Sequence, residues 1–221
     1  TIFESRTEAK YFLTVIGDCV LKKNTNTCQS MYFINANIKK LILLIDSIAY
    51  VTTGNSIMNN FISKYHESHN ITNYRLIKTN ENAISYDLIK DALNKIGIDL
   101  LCIAAHYSER YTNSDNYLST KADESVKQYV QFFCQNTTGQ IVDNFIKQCI
   151  NVKQGQGQGQ GQMETNSNSN SNNVNTLSWK NMHYIWKIYL SSINIPNMIY
   201  TNNLKDILKT KLPFTENSDD D

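Results

Sequence analysis

Only three of the 221 residues are arginine: Arg6, Arg75 and Arg110. A chain this poor in guanidinium groups has few of the planar forks that grip phosphate or guanine with two bonds at once. Charge of one sign is equally scarce. The 21 basic and 20 acidic residues leave a formal charge of +1, and no block of Lys and Arg gathers on one short segment. Both shortages argue against a strongly electrostatic nucleic-acid binder. Glycine is rare too: four of the eight, Gly155, Gly157, Gly159 and Gly161, sit in one repetitive tract, so a Gly-rich ligand loop is not expected elsewhere. The two prolines, Pro196 and Pro213, both fall in the last quarter.

The five cysteines, Cys19, Cys28, Cys102, Cys134 and Cys149, form no CxxC pair and are odd in number. Buried free thiols in a reducing compartment fit this better than a disulfide framework. His66 and His69 lie three apart in "YHESHN" without a cysteine or second histidine pair at ligand spacing, which reads as a solvated helix end; no metal and no cofactor is expected. The longest apolar run, "LILLIDSIA", is interrupted by Asp46 and is too short to cross a bilayer. No secretory pattern opens the chain. It starts at Thr1 rather than Met, which suggests an excised domain or a processed chain. A cytoplasmic location without membrane contact follows as the expectation.

What is present is enough for a core. Hydrophobic side chains make up 41% of the chain, so one domain, or one with a small satellite, is expected. Lys, Asn, Ile and Tyr are abundant, and all four have AT-rich codons, so their excess reads first as genome composition. Helical periodicity puts Tyr11, Phe12, Val15, Ile16 and Cys19 on one stripe and predicts a core helix over 38–50 ended by Gly54. It predicts a short helix from Asn55, a helix over 84–95 closed by Gly97, and a deeply buried helix in "IDLLCIAAHYSERY". Later stripes follow at Val126, Tyr129, Val130, Phe133 and at Ile141, Val142, Phe145, Ile146, Cys149, the latter with Thr137 placed as N-cap. "SMYFI" and "YRLIKT" read as short strands. The fold class expected is mostly α, a compact multi-helix domain with one or two short strands.

The repeats "GQGQGQGQ" and "SNSNSN" separate this helical body, 1–152, from the rest. Residues 153–177 carry almost no apolar side chains to offset the entropy of ordering, so they read as a disordered, tolerated insertion. Beyond it, Ser178 can cap a helix carrying Trp179, Met182, Trp186, Tyr189 and Ile193. A break at Pro196, an extended "MIY" and a helix with Leu204, Ile207, Leu208 and Leu212 complete a C-terminal pair over 178–214. Two such helices cannot bury two tryptophans alone, so packing back on the body is expected. Residues 215–221, with "ENSDDD", read as a solvated acidic tail.

No constellation carries catalysis unaided. "MYFINANIKKLILLI" has the strand, loop and helix of a phosphate loop but no glycine to cradle phosphate, and reads as a plain strand and core helix. Cys102 and His106 share a helical face at i, i+4, where the bland reading is a core cysteine and a hydrogen-bonded histidine. The densest polar cluster is "HYSERYTNSDNYL", where Ser114 and Asp115 are expected to make side-chain turns and cap the segment after them. If it forms a recognition surface, His106, Arg110 and Asp115 are its first candidates. Stacking of bases on aromatic rings remains open through "SWKNMHYIWKIYL", which interleaves Trp179, Tyr184, Trp186 and Tyr189 with Lys180 and Lys187. Core packing is the more frequent reason for such a stripe.

The segments "KYFLTVIGDCVLKKN", "DLLCIAAHYSERYTNSDNYL" and "LSWKNMHYIWKIYLSSINIPNMI" resemble parts of giant DNA virus proteins of the primase-helicase type, in which a helical segment precedes a superfamily 3 NTPase. The resemblance places "QSMYFINANIKKLILLI" where such a helicase keeps its phosphate loop. Without the glycines and the GK[ST] ending, ATPase activity does not carry over. It implies a catalytically inert helical interaction domain in a viral nucleic-acid-handling protein, in host-cell cytoplasm or viral factory. The alternative expectation is a helical scaffold that binds an RNA helicase or translation initiation factor. A further one is a degenerate NTPase or a hydrolase, which would need His106, Arg110 and Asp115 to converge. The leaning is against an enzyme, with a protein partner, nucleic acid as a second partner class, and no catalytic residue named.

Overall fold

The computed structural model describes residues 2–23, 31–66, 70–80, 85–150 and 177–214. Among these lie nine α-helices and one three-stranded parallel sheet, so the chain is mostly helical with a few short strands. They group into two compact units, 1–137 and 138–221.

In the first unit, helix α1 (Arg6–Val20) opens on a reciprocal cap. The Ser5 hydroxyl accepts the Glu8 N–H at 3.2 Å, and the Glu8 carboxylate accepts the Ser5 N–H at 2.9 Å. Its predicted stripe, Tyr11, Phe12, Val15, Ile16 and Cys19, is buried. Strand β1 (Met31–Phe33) leads through Asn35 into α2 (Ala36–Thr53), which ends at Gly54. The Asn35 side chain accepts the Ile38 N–H at 2.8 Å and donates to Thr79 Oγ1 at 2.9 Å. This strand, loop and helix is thus the plain arrangement expected of a segment without phosphate-loop glycines, and Ile38, Ile42, Ile45 and Ala49 line the core.

Residues 55–62 correct the sequence reading. Instead of a helix from Asn55, a single 3-10 turn at Met58–Asn60 leads into strand β2 (Phe61–Ile62). Asp46, on α2, accepts the N–H groups of Ile57 and Met58 at 2.7 and 3.0 Å, and β1 takes Phe61 and Ile62 as strand partners. Tertiary pairing overrides a local helical pattern here. Strand β3 (Tyr74–Leu76) pairs with the other edge of β1, giving the order β2–β1–β3 with all strands parallel. His66 follows β2 outside any helix, and His69 lies outside the described residues.

A second correction concerns 84–111. One helix, α3 (Tyr86–Tyr111), runs through Gly97. A Cβ at Gly97 would collide with Ile48, so this glycine permits contact with α2 rather than ending a helix. Nor is the segment deeply buried all round: only Leu93, Gly97, Leu101, Ala104 and Ser108 are buried, and they face α1 and α2. Helices α4 (Ser114–Lys121), α5 (Glu124–Val130) and α6 (Phe132–Gln135) close the unit.

In the second unit, α7 (Thr138–Cys149) contacts both α8 (Trp179–Ser192) and α9 (Thr201–Lys211). Phe145 meets the Trp186 ring edge-on at 5.1 Å and lies 5.5 Å from Tyr189. Lys211 pairs with Asp143 at 2.6 Å. Helix 138–149, placed with the body at 1–152 because the repetitive tract follows it, groups with the C-terminal pair and covers the Trp186 side of α8. The "MIY" segment forms no strand; Met198 and Ile199 are buried in an irregular connection. Residues 153–176 of the repetitive tract and the acidic tail 215–221 lie outside the described residues.

Candidate functional site

The polar cluster after α3 is built into the first unit as a brace. Asp18 is the only acidic side chain within the buried stripe of α1. It accepts the Ser108 hydroxyl at 2.5 Å and the Ser114 N–H at 2.7 Å. The Ser114 hydroxyl in turn bonds the Tyr32 hydroxyl on β1 at 2.9 Å. Burial pushes the Asp18 carboxyl above the usual carboxylate range, and the bonds from Ser108 and Ser114 pull it part of the way back. Between α3 and α4 the chain turns at Thr112, whose φ of 72° is a left-handed value that a β-branched residue rarely adopts. The Thr112 carbonyl accepts from Lys23 Nζ at 3.1 Å, and Lys23 also pairs with Glu109 at 3.0 Å. Tyr11 Oη is buried close by and has no hydrogen-bond partner among the described residues.

The three residues whose convergence would mark an enzyme turn to different partners. His106 is exposed, with its ring near that of Tyr107 at 6.2 Å. The Arg110 guanidinium lies 5.5 Å from the centre of the Tyr111 ring. Asp115 pairs with Arg75 at 3.3 and 3.4 Å, while Arg75 also donates to the Thr72 carbonyl at 3.2 Å and to Cys134 Sγ at 2.7 Å. The cap of α4 is Asn113, which accepts the Asn116 N–H at 2.7 Å, rather than Ser114 or Asp115. Cys102 is exposed along with His106, so the expected core cysteine and histidine are corrected; of the four described cysteines, only Cys19 is buried. The Asp18 carboxylate is buried, whereas His106 and Arg110 are exposed on α3. Sequence reading missed Asp18, although an acidic residue between Ile16 and Cys19 in an apolar stripe was a usable signal.

The second candidate region is the outer face of α8. Ser178 caps the helix, and Trp186, Tyr189 and Leu190 point inward. The predicted stripe splits by depth: Trp186 is fully buried, whereas Trp179 is half-buried. Its ring stacks on His183 at 5.9 Å with planes 12° apart, and Lys205 Nζ of α9 lies 5.8 Å from its centre. Partial burial and the charge of Lys187 hold His183 below the usual histidine range. Lys180, Tyr184 and Lys187 occupy the exposed side at i, i+4 and i+7, which is one helical face. Leu177 and Ile188 are exposed nearby in the helical order.

Over their full lengths both units are close to neutral, with 14 basic and 13 acidic residues in 1–137 and seven of each in 138–221. The described basic side chains of the second unit are all lysines: 147, 180, 187, 205, 209 and 211. All three arginines lie in the first unit. No group of three or more His, Cys, Asp or Glu is placed to hold a metal among the described residues, and none of their helices is long and apolar enough to cross a membrane. Compared with protein-family models, curated proteins and solved structures, the chain matches none.

Proposed function

We propose that the chain is a non-catalytic, helical interaction domain of a nucleic-acid-handling protein, and that its second unit contacts the phosphate backbone. The observation that carries this reading is the outer face of α8, where the exposed Lys180 and Lys187 stand on either side of the exposed Tyr184. Lysine ammonium groups act as point charges on phosphate and need no fork geometry. The replication setting, in a viral protein, is proposed on the resemblance of the three segments quoted above.

The test is a titration of labelled oligonucleotide with the full chain across a range of salt. Each phosphate neutralised on a single strand contributes a slope of about −0.7 in log affinity against log salt. The double variant Lys180→Ala, Lys187→Ala is expected to weaken binding and flatten the slope by about 1.4. Salt-independent binding, or a double variant that binds like the wild type, would overturn the proposal.

A second reading, the scaffold for a helicase or translation factor, is favoured by one feature of the first unit. Leu88, Ile96 and Ile103 leave apolar side chains exposed along α3, the kind of face a partner helix covers. Loss of a helicase or initiation factor from purified mixtures on Ile96→Glu, with oligonucleotide binding unchanged, would select that reading.

A further inference from the structure

We infer that the ligand of the α8 face is an unpaired nucleic-acid strand, with Tyr184 stacking a base and Lys180 and Lys187 holding the phosphates on either side. This rests on the nucleic-acid reading above and narrows it to one form of ligand.

Tyr184 is 65% exposed, so most of its ring is open to a planar partner. A ring left in water on a helix whose other aromatics are buried or half-buried has no packing role to explain it. The lysines stand four residues before and three after it, about 10 Å apart along the axis at 1.5 Å per residue. Their flexible stems reach backbone to both sides of one stacked nucleotide. Ile188, one turn beyond Tyr184, is also exposed and extends an apolar surface that tolerates any base edge. Trp179 is the weaker platform, because His183 already stacks on its ring.

Duplex reading fits this face poorly. The second unit holds no arginine among its described residues, so the rigid guanidinium fork that fits the guanine edge in the major groove is missing. Lysines interleaved with an aromatic ring are instead the pattern of sequence-tolerant single-strand binding, where every base offers a π-face. Such an amphipathic, lysine-bearing face also suits an anionic lipid surface, so the test includes one.

The experiment is fluorescence anisotropy of the full chain with a labelled single strand of twelve thymidines, with a twelve-base-pair duplex, and with phosphatidylserine vesicles, compared at each of several salt concentrations from low to high. The wild type is expected to prefer the single strand. Tyr184→Ala should lose about fivefold to a hundredfold in single-strand affinity while keeping the salt slope, and Tyr184→Phe should retain it. Tyr184 is exposed, so neither variant should perturb folding, which circular dichroism checks. Equal or tighter binding of the duplex, or an unaffected Tyr184→Ala, overturns the single-strand inference while leaving nucleic-acid binding intact. Binding to vesicles alone, or to no nucleic acid at low salt, removes both.

Discussion

Asp18 and Ser114 lie 96 residues apart in sequence, and the carboxylate of the first accepts the backbone N–H of the second at 2.7 Å. The bond ties the α3–α4 corner to α1 inside the first unit. The acceptor is fully buried, so its loss leaves the folded state with an orphaned donor.

Asp18→Ala leaves both the Ser114 N–H and the Ser108 hydroxyl without their acceptor, and is expected to cost about 2–5 kcal/mol. Asp18→Asn can offer its carbonyl to Ser114 and its amide to Ser108, whose hydroxyl is free to rotate. It should lie within about 2 kcal/mol of the wild type at neutral pH. The carboxyl is held above its unfolded value, so its contribution to stability is complete below the unfolded range and falls as pH rises through the folded value. The advantage of the wild type over Asp18→Asn should therefore be greatest near pH 3 and shrink toward pH 7 in thermal melts. An advantage that grows with pH would show that the folded state favours the ionised form.

Gly17→Ala tests the crossing of α1 and α3. A Cβ at Gly17 would collide with the Ala104 carbonyl oxygen and stand 2.6 Å from its carbon and 2.7 Å from Ser108 Cβ. Backbone cannot swing aside as a side chain can. The variant should lose about 2–3 kcal/mol despite the better helix propensity of alanine. Urea denaturation measures this, and a stabilised variant would mean that the two helices are not in close contact.

Trp186→Ala empties the centre of the second unit, where the indole is fully buried against Phe145 and its N–H reaches Asn197 Oδ1 at 3.4 Å. A loss of about 3–5 kcal/mol is expected in denaturation followed by far-UV circular dichroism. Near-wild-type stability with lost partner binding would make Trp186 an interface residue.

Thiol labelling separates the cysteines by depth. Cys102 and Cys149 are exposed and should react with a thiol reagent within minutes in the native protein. Cys19 is buried, and burial raises its thiol well above the usual range, so it should react only as the first unit opens. Peptide mapping by mass spectrometry reads each site. Equal rates at Cys19 and Cys102 would contradict the burial of α1.

The helices of the fold were legible wherever an apolar stripe recurred, as at Tyr11 to Cys19 or Ile141 to Phe145, because helical period and burial coincide there. Legibility ended where distant partners decide. Nothing local distinguishes Phe61 and Ile62 as strand residues; they are so because β1 offers them a ladder. Gly97 looks like a terminator until Ile48 is beside it. At the candidate site, Lys180, Tyr184 and Lys187 could be named from spacing alone, but the depth of Trp186 against the exposure of Tyr184 needed α7, which the repetitive tract separates from α8 in the sequence. Asp18 could not be paired with Ser108 and Ser114, since period carries no information about contacts ninety residues away.

The seat of α1 against α3 has a consequence for synthesis. Its Asp18 waits for Ser108, 90 residues further on. At ribosomal rates of roughly 5–20 residues per second, that is about 5–20 s. During that interval Tyr11, Phe12, Val15 and Ile16 lack the helix that covers them. A nascent chain stalled before α3 is therefore a chaperone client, and a fragment ending there would be prone to aggregate.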